Sequence, residues 1–164
     1  VSYDFKGYWK DVGTLDSLWE ANMDMLGESP VLDLTDRTNR IYSKNLATPP
    51  HFVGSGAVIN NSIITEGCEI YGTVINSVLS RGVIVERDAI VRDSVIMSDC
   101  TISAGAQVDY TIMDCNVTVE SNATVGKPRE EAKKITLIGK ELTIGAGKVV
   151  EEGTMLTPEM AKSL

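Results

Sequence analysis

The sequence predicts a mainly β fold: a parallel β-helix of hexapeptide repeats preceded by a short strand–turn–helix segment. Three observations carry this. Aliphatic residues recur every six positions from Gly54 onward, a period that fits neither a 3.6-residue helix nor one long strand. Aromatic residues make up only 5% of the chain, so a core must be built from Val, Ile, Leu and Ala. The segment "GYWKDVGTLDSLWEANM", residues 7–23, has no counterpart in the rest of the chain.

Residues 1–28 read as a strand, a turn and a helix. Tyr8, Trp9 and Val12 favour extended backbone, Gly13 permits a turn and Thr14 can cap the helix that follows. Leu15, Leu18, Trp19, Met25 and Leu26 then fall near one helical face, and Gly27 is placed to stop the helix. Residues 29–53 read as a connector, broken by Pro30, Pro49 and Pro50 and rich in the turn formers Asp33, Asp36, Asn39 and Asn45; "NRIYS" within it suits a short strand.

Residues 54–164 carry the repeats. The expected inward anchors are Val58, Ile64 and Ile70, then Val78, Ile84, Ile90, Ile96, Ile102 and Val108. Met113, Val119 and Val125 follow, and Ile138, Ile144, Val150 and Leu156 complete the series. Smaller residues follow many anchors by four, among them Ser62, Cys68, Val74, Gly82, Ser94, Cys100, Ala106, Val117 and Ala123. Each hexad supplies one short strand and one corner, three hexads close a triangular coil, and coils stack through backbone hydrogen bonds. The step slips near residues 71–77 and 109–112 and at 126–137, where "GKPREEAKK" reads as a loop extruded from a corner. A β-sandwich of short strands is the rival, but the chain has no Asn-Gly hairpin signal.

Composition narrows the function classes. A net charge of −8 repels phosphate backbones, which disfavours nucleic acid and anionic membranes as partners. No apolar run approaches the length of a membrane span and no signal-like start is present. The first residue is Val1, and the chain reads as a piece of a longer protein. Cys68, Cys100 and Cys115 have no paired metal spacing; they read as small core fillers, and their odd number points to reduced thiols in a cytoplasmic protein.

Taken together, the two halves resemble bacterial glucose-1-phosphate adenylyltransferase, also called ADP-glucose pyrophosphorylase. "GYWKDVGTLDSLWEANM" is similar to the end of that family's nucleotidyltransferase domain and "IYSKNLATPP" to its connector. "NSVLSRGVIVERDAIVRDSVIM" and "ITLIGKELTIGAGKVV" are similar to its left-handed β-helix. The resemblance implies the C-terminal part of an enzyme that joins ATP and glucose 1-phosphate to give ADP-glucose and pyrophosphate, for glycogen or starch synthesis. It implies a tetrameric intact enzyme. The family's glycine-rich phosphate loop has no match here; Gly54-Ser55-Gly56 and Gly145-Ala146-Gly147 read as coil corners.

The resemblance also assigns Asp11. In related sugar nucleotidyltransferases the aspartate of "W-x-D-x-G-T" is one of two carboxylates that hold the catalytic Mg²⁺, and Asp11 occupies that position. On the residues alone, Asp11 is more readily a cap for the following turn. The second carboxylate has no match here, so the chain alone is expected to be inactive.

A basic group near the end of the chain, Arg129, Lys133, Lys134 and Lys140, with Lys127 and Lys148, reads as solvated surface or as a site for a phosphorylated effector. Lys140 matches an activator lysine of plant relatives. A second such lysine is replaced in "Ile112-Met113-Asp114-Cys115-Asn116" by Cys115, which argues against a plant-type effector. His51, the only histidine, follows Pro49-Pro50 ahead of the repeats, a poor place for the general base of a hexapeptide acyltransferase. That acyltransferase, another sugar-phosphate nucleotidyltransferase, and a non-enzymatic oligomerisation module are the alternative readings.

Overall fold

The computed structural model describes residues 1–34, 36–38 and 47–161. The strand expected within "NRIYS" lies outside the described residues.

Beyond the connector, the chain winds into a parallel β-helix with three faces of six strands each. The first face stacks Phe52–Val53, Glu69–Ile70, Ile84–Val85, Thr101–Ile102, Thr118–Val119 and Thr143–Ile144. The second runs from Val58–Asn60 to Val149–Val150, and the third from Ile63–Ile64 to Met155–Leu156. Every strand pairing is parallel and joins equivalent positions of successive coils. A short helix, Pro158–Ala161, follows the last coil. The first strand begins at Phe52, slightly ahead of the boundary expected at Gly54.

Alternation along each strand sends one side chain to the axis and its neighbour outward. Ile70, Leu79, Val85, Val91, Ile96, Ile102, Val108, Met113, Val119, Val125 and Ile138 are fully buried in one axial cluster. Cys68, Val83, Ala89, Cys100, Ala106, Val117 and Ala123 fill the corners of the same cluster. Close packing of short aliphatic side chains leaves no room for rings, which explains the low aromatic content.

Four expected anchors are wrong by one residue. Val58 is exposed, Ile84 and Ile90 are half-buried on the outer surface, and Val78 lies outside the axial cluster. The inward residues are instead Leu79, Val85 and Val91, with Ile59 opposite Val74 in the first coil. For the same reason Val83, not Gly82, fills its corner.

The cause is a shortened corner between the second and third faces. Thr101 stands over Ile84 and Thr118 over Thr101, so these coils take 17 residues rather than three full hexads, and the coil before them, in which Ile84 stands over Glu69, takes 15 because its turn at Gly72 is shorter as well. At that corner Asn76, Asp93 and Tyr110 adopt positive φ, and each is followed by a buried hydroxyl residue, Ser77, Ser94 or Thr111. These hydroxyls donate to the carbonyls of Ile75, Arg92 and Asp109 at 2.6–2.8 Å. Ser77 and Ser94 also accept the backbone N–H of the equivalent residue one coil on, each at 3.1 Å. One buried ladder thus satisfies the polar groups that a tight corner would otherwise strand. Ile90 and Ile96, though six apart, face opposite ways, because the inward step across this corner is five, from Val91 to Ile96.

At the fifth coil the chain leaves this corner after Gly126 and returns at Thr136, so the extruded loop falls where the charged stretch placed it. Gly126 has φ +76°, and a Cβ there would collide with the Asp109 carbonyl, so the exit requires glycine.

The N-terminal helix, α1, spans Leu15–Met23. Thr14 caps it in a reciprocal capping box with Ser17. It ends earlier than expected: Met25 and Leu26 lie in a tightening turn, and Gly27, at φ +96°, carries the chain away. No strand forms around Tyr8–Val12, because among the described residues nothing pairs with that backbone. Side chains hold it instead.

Candidate functional site: a braced acid beside the β-helix

Helix α1 lies across the outside of the third face. Trp19, the one buried aromatic among the described residues, clusters with Val95, Ile112 and Ile135, flanked by Leu15, Leu18, Met97, Tyr110 and Leu137. Its indole N–H donates to the Asp93 carbonyl at 2.6 Å, its ring meets Tyr110 edge-on with centroids 5.1 Å apart, and the Arg129 guanidinium stacks 4.6 Å from its centroid. The extruded loop therefore closes over the ring that seats the helix.

The other side of α1 holds the segment preceding it. Glu20 and Asp24 are four apart and share a helical side. The Asp24 carboxylate accepts from the Tyr8 hydroxyl at 2.9 Å and from Lys10 Nζ at 2.8 Å, and Lys10 also pairs with Glu20 at 3.2 Å. The hydrogen bond from Lys10 is the main reason that the Asp24 carboxyl sits below the usual carboxylate range; the same bond raises the Lys10 ammonium. Partial burial, and then the bond to Asp24, raise the Tyr8 phenol.

Asp11 follows directly and is exposed. Trp9, 76% exposed, and Asp11 alternate with the half-buried Tyr8 and Lys10. A backbone that sends Tyr8 and Lys10 toward the helix presents Trp9 and Asp11 on its opposite side. Among the described residues no group of three or more His, Cys, Asp or Glu stands close enough to hold a metal ion. One exposed carboxylate is nonetheless a fitting donor for Mg²⁺, a hard ion commonly bound by one or two carboxylates together with substrate phosphates and water.

The basic residues do not form one patch. Arg129 is committed to Trp19. Lys127 pairs with Glu151 at 3.5 Å, the Lys133 backbone N–H donates to the Glu152 carboxylate, and the Lys134 stem lies against Gly153. Lys140 is exposed at the corner before Thr143–Ile144, beside Glu141 at φ +59°, and forms no ion pair among the described residues. His51 is exposed just ahead of the first coil. Cys68 and Cys100 are core fillers as expected, and burial pushes the Cys100 thiol up to about 11. Cys115 is not in the axis: it is half-buried at a corner, where its N–H bonds Asp114.

Tyr8, Lys10, Glu20 and Asp24 were not among the expected site residues. Their signal is short-range: alternating Tyr8 and Lys10, then two acids at helical spacing. Arg129 against Trp19 had no local signal, because the pair is set by where the loop leaves its coil.

Residues 1–28 match the family model described as nucleotidyl transferase. Glucose-1-phosphate adenylyltransferase of Desulforamulus reducens is 38% identical over 159 residues, covering 94% of this chain and 40% of that protein. The enzyme of the same name from Clostridium perfringens strain 13 is 42% identical over 157 residues, covering 95% of this chain and 39% of the relative. That from Bacillus mycoides is 41% identical over 140 residues, covering 85% and 37%. The chain thus spans about two fifths of the length of these relatives. Residues 49–152, most of the chain and all but the last of its complete coils, match the model for the GlmU-like, C-terminal hexapeptide, and the chain belongs to that family.

Proposed function

We propose that this chain is the C-terminal, oligomerisation and regulatory part of a glucose-1-phosphate adenylyltransferase. The intact protein would join ATP and glucose 1-phosphate to give ADP-glucose and pyrophosphate. The carrying observation is the junction: a segment matching nucleotidyl transferases and bearing Asp11 is packed, through α1, on a hexapeptide β-helix. In such a transfer a sugar-phosphate oxygen attacks the α-phosphorus and pyrophosphate leaves. Mg²⁺, when bound, offsets the charge on the phosphates. Asp11 would hold the ion, and the brace on α1 keeps its carboxylate exposed. The β-helix assembles subunits into a closed oligomer, a tetramer in the intact enzyme. Lys140, an exposed cation that forms no ion pair among the described residues, receives an anionic effector.

The test is an assay of the intact protein with glucose 1-phosphate and ATP, beside UTP and GTP. ADP-glucose and pyrophosphate should form, and Asp11→Asn should lower kcat by about 10² or more, as loss of a strong transition-state stabiliser does, without changing Tm. Transfer from an acyl-coenzyme A, or sugar nucleotide formed only with UTP or GTP, would overturn the reading.

A further inference from the structure

We propose that Asp24 is a positioning residue for Asp11, and that the β-helix takes part in aiming the reaction's carboxylate through helix α1. The proposal rests on the function given above.

The argument starts from what holds residues 8–11. No sheet hydrogen bonds fix this backbone among the described residues. Its polar contacts with the helix run through two alternate side chains that meet on one carboxylate: Tyr8 Oη and Lys10 Nζ reach Asp24 at 2.9 and 2.8 Å, and Lys10 also reaches Glu20 at 3.2 Å. Asp24 caps the C-terminus of α1. An extended segment clamped at residues 8 and 10 has little freedom left at residue 11, because the intervening backbone is too short to swing. The clamp also sets which side Asp11 takes, since it draws Tyr8 and Lys10 to the helix.

The clamp is only as steady as the helix that carries it. Helix α1 has a second hold besides the segment it braces. It is seated from the opposite side by Trp19, through the hydrogen bond to the Asp93 carbonyl and the packing against Val95, Ile112 and Ile135. Those residues belong to the third face of the β-helix and to the end of the loop that leaves it. The chain of contacts is therefore continuous: β-helix face, Trp19, α1, Asp24, Lys10 and Tyr8, Asp11. A metal-ligating carboxylate needs such a partner behind it, because an ill-aimed ligand loses affinity and rate even when chemically intact.

The experiment uses the intact protein and three variants, Asp24→Ala, Lys10→Met and Lys10→Arg. Each is measured for kcat, for KM of both substrates, for the Mg²⁺ concentration giving half-maximal rate, and for Mn²⁺ binding with ATP present by electron paramagnetic resonance. Asp24→Ala and Lys10→Met should each raise the half-saturating Mg²⁺ and weaken Mn²⁺ binding by about 10-fold, the usual scale for loss of an outer-shell partner. Lys10→Arg, which keeps a cation on Asp24, should stay within about 3-fold of wild type. A purely structural Asp24 would lower Tm or yield but leave the metal dependence of the surviving enzyme unchanged, and that result overturns the proposal. If wild type makes no ADP-glucose, the functional reading fails instead. Normal wild-type catalysis with unshifted metal binding in Asp24→Ala fails only the positioning role.

Discussion

The β-helix and the N-terminal segment use opposite means to the same end. In the β-helix, position is set by repetition: each inner strand is held by the coils on either side, and the same axial and corner side chains recur from coil to coil. In residues 1–28 nothing repeats, and position is set by a few named contacts, Asp24 with Tyr8 and Lys10 on one side of α1 and Trp19 on the other. Regular architecture tolerates outward substitution and resists inward substitution, whereas the braced segment depends on particular polar atoms. The proposed metal ligand sits on the second kind of structure and is anchored in the first.

The largest effect that tests this contrast is a pair of substitutions six residues apart. Ile96 is fully buried on the axis, while Ile90 is half-buried on the outside. Ile96→Asp places a carboxylate among aliphatic side chains and should cost at least about 4 kcal/mol, whereas Ile90→Asp should cost no more than about 1 kcal/mol. Urea denaturation of the two variants reads the difference. Equal losses would mean that the shortened corner does not set the register described here.

That pair also shows what the sequence could and could not disclose. The six-residue step was legible because each hexad meets the same steric problem and solves it with the same residue types. The register was legible from Ile96 onward, through Ile102 and Val108, and again after the slips at 109–112 and 126–137, but not after the one at 71–77. It was not legible at Val78, Ile84 and Ile90, where β-branched residues occupy both the inward and outward positions and a period alone cannot choose between them. The choice is made by Ser77 and Ser94, whose hydroxyls close the short corner. At the candidate site, the motif around Asp11 singled it out as a proposed ligand, but the brace left no comparable sign, because side-chain pairing across a turn leaves only a faint local pattern.

The next effect bears on the junction. Trp19→Ala removes the ring that seats α1 and should cost about 3–4 kcal/mol in docking of the helix, the range for truncating a buried aromatic. The coils have their own axial core, so the loss should appear as faster amide exchange and proteolysis in residues 8–26, with the β-helix transition little moved. A matching drop in the β-helix transition would show that the two regions unfold together and that the contrast between them is only one of shape.

The two regions should also fail at opposite ends of the pH scale. Burial raises the Cys100 thiol to about 11, above the ordinary thiol value of 9.0, so its contribution is complete below pH 9 and is lost as pH rises toward 11. The size is at most about 3 kcal/mol, by the usual conversion of a two-unit shift. Asp24 has its carboxyl lowered by Lys10, so the brace is intact above the ordinary carboxylate range and is lost as pH falls through and below it. Exchange measured across pH should therefore show α1 and residues 8–11 opening first in acid and the coils around Cys100 losing protection first in alkali. Cys100→Ala should flatten the alkaline limb of the β-helix transition while leaving the acid behaviour of the brace untouched.

The smallest effect concerns Arg129, where a charged residue in a loop has been recruited to an aromatic. Its guanidinium lies 4.6 Å from the Trp19 centroid, and Arg129 itself is exposed. An exposed cation–π contact contributes about 0.5–1 kcal/mol, so Arg129→Ala should loosen α1 by that amount, and Arg129→Lys should recover part of it. Lys140→Ala, which removes a cation with no ion pair, should leave the exchange of α1 unchanged. The comparison separates two roles that net charge alone cannot. If Arg129→Ala changes the response to phosphorylated effectors and Lys140→Ala does not, the loop is the effector's point of entry, and its signal has a direct route through Trp19 and α1 to Asp11. If only Lys140→Ala changes that response, the stack on Trp19 is a clasp for the helix, and an effector acts at the coil corner without passing through it.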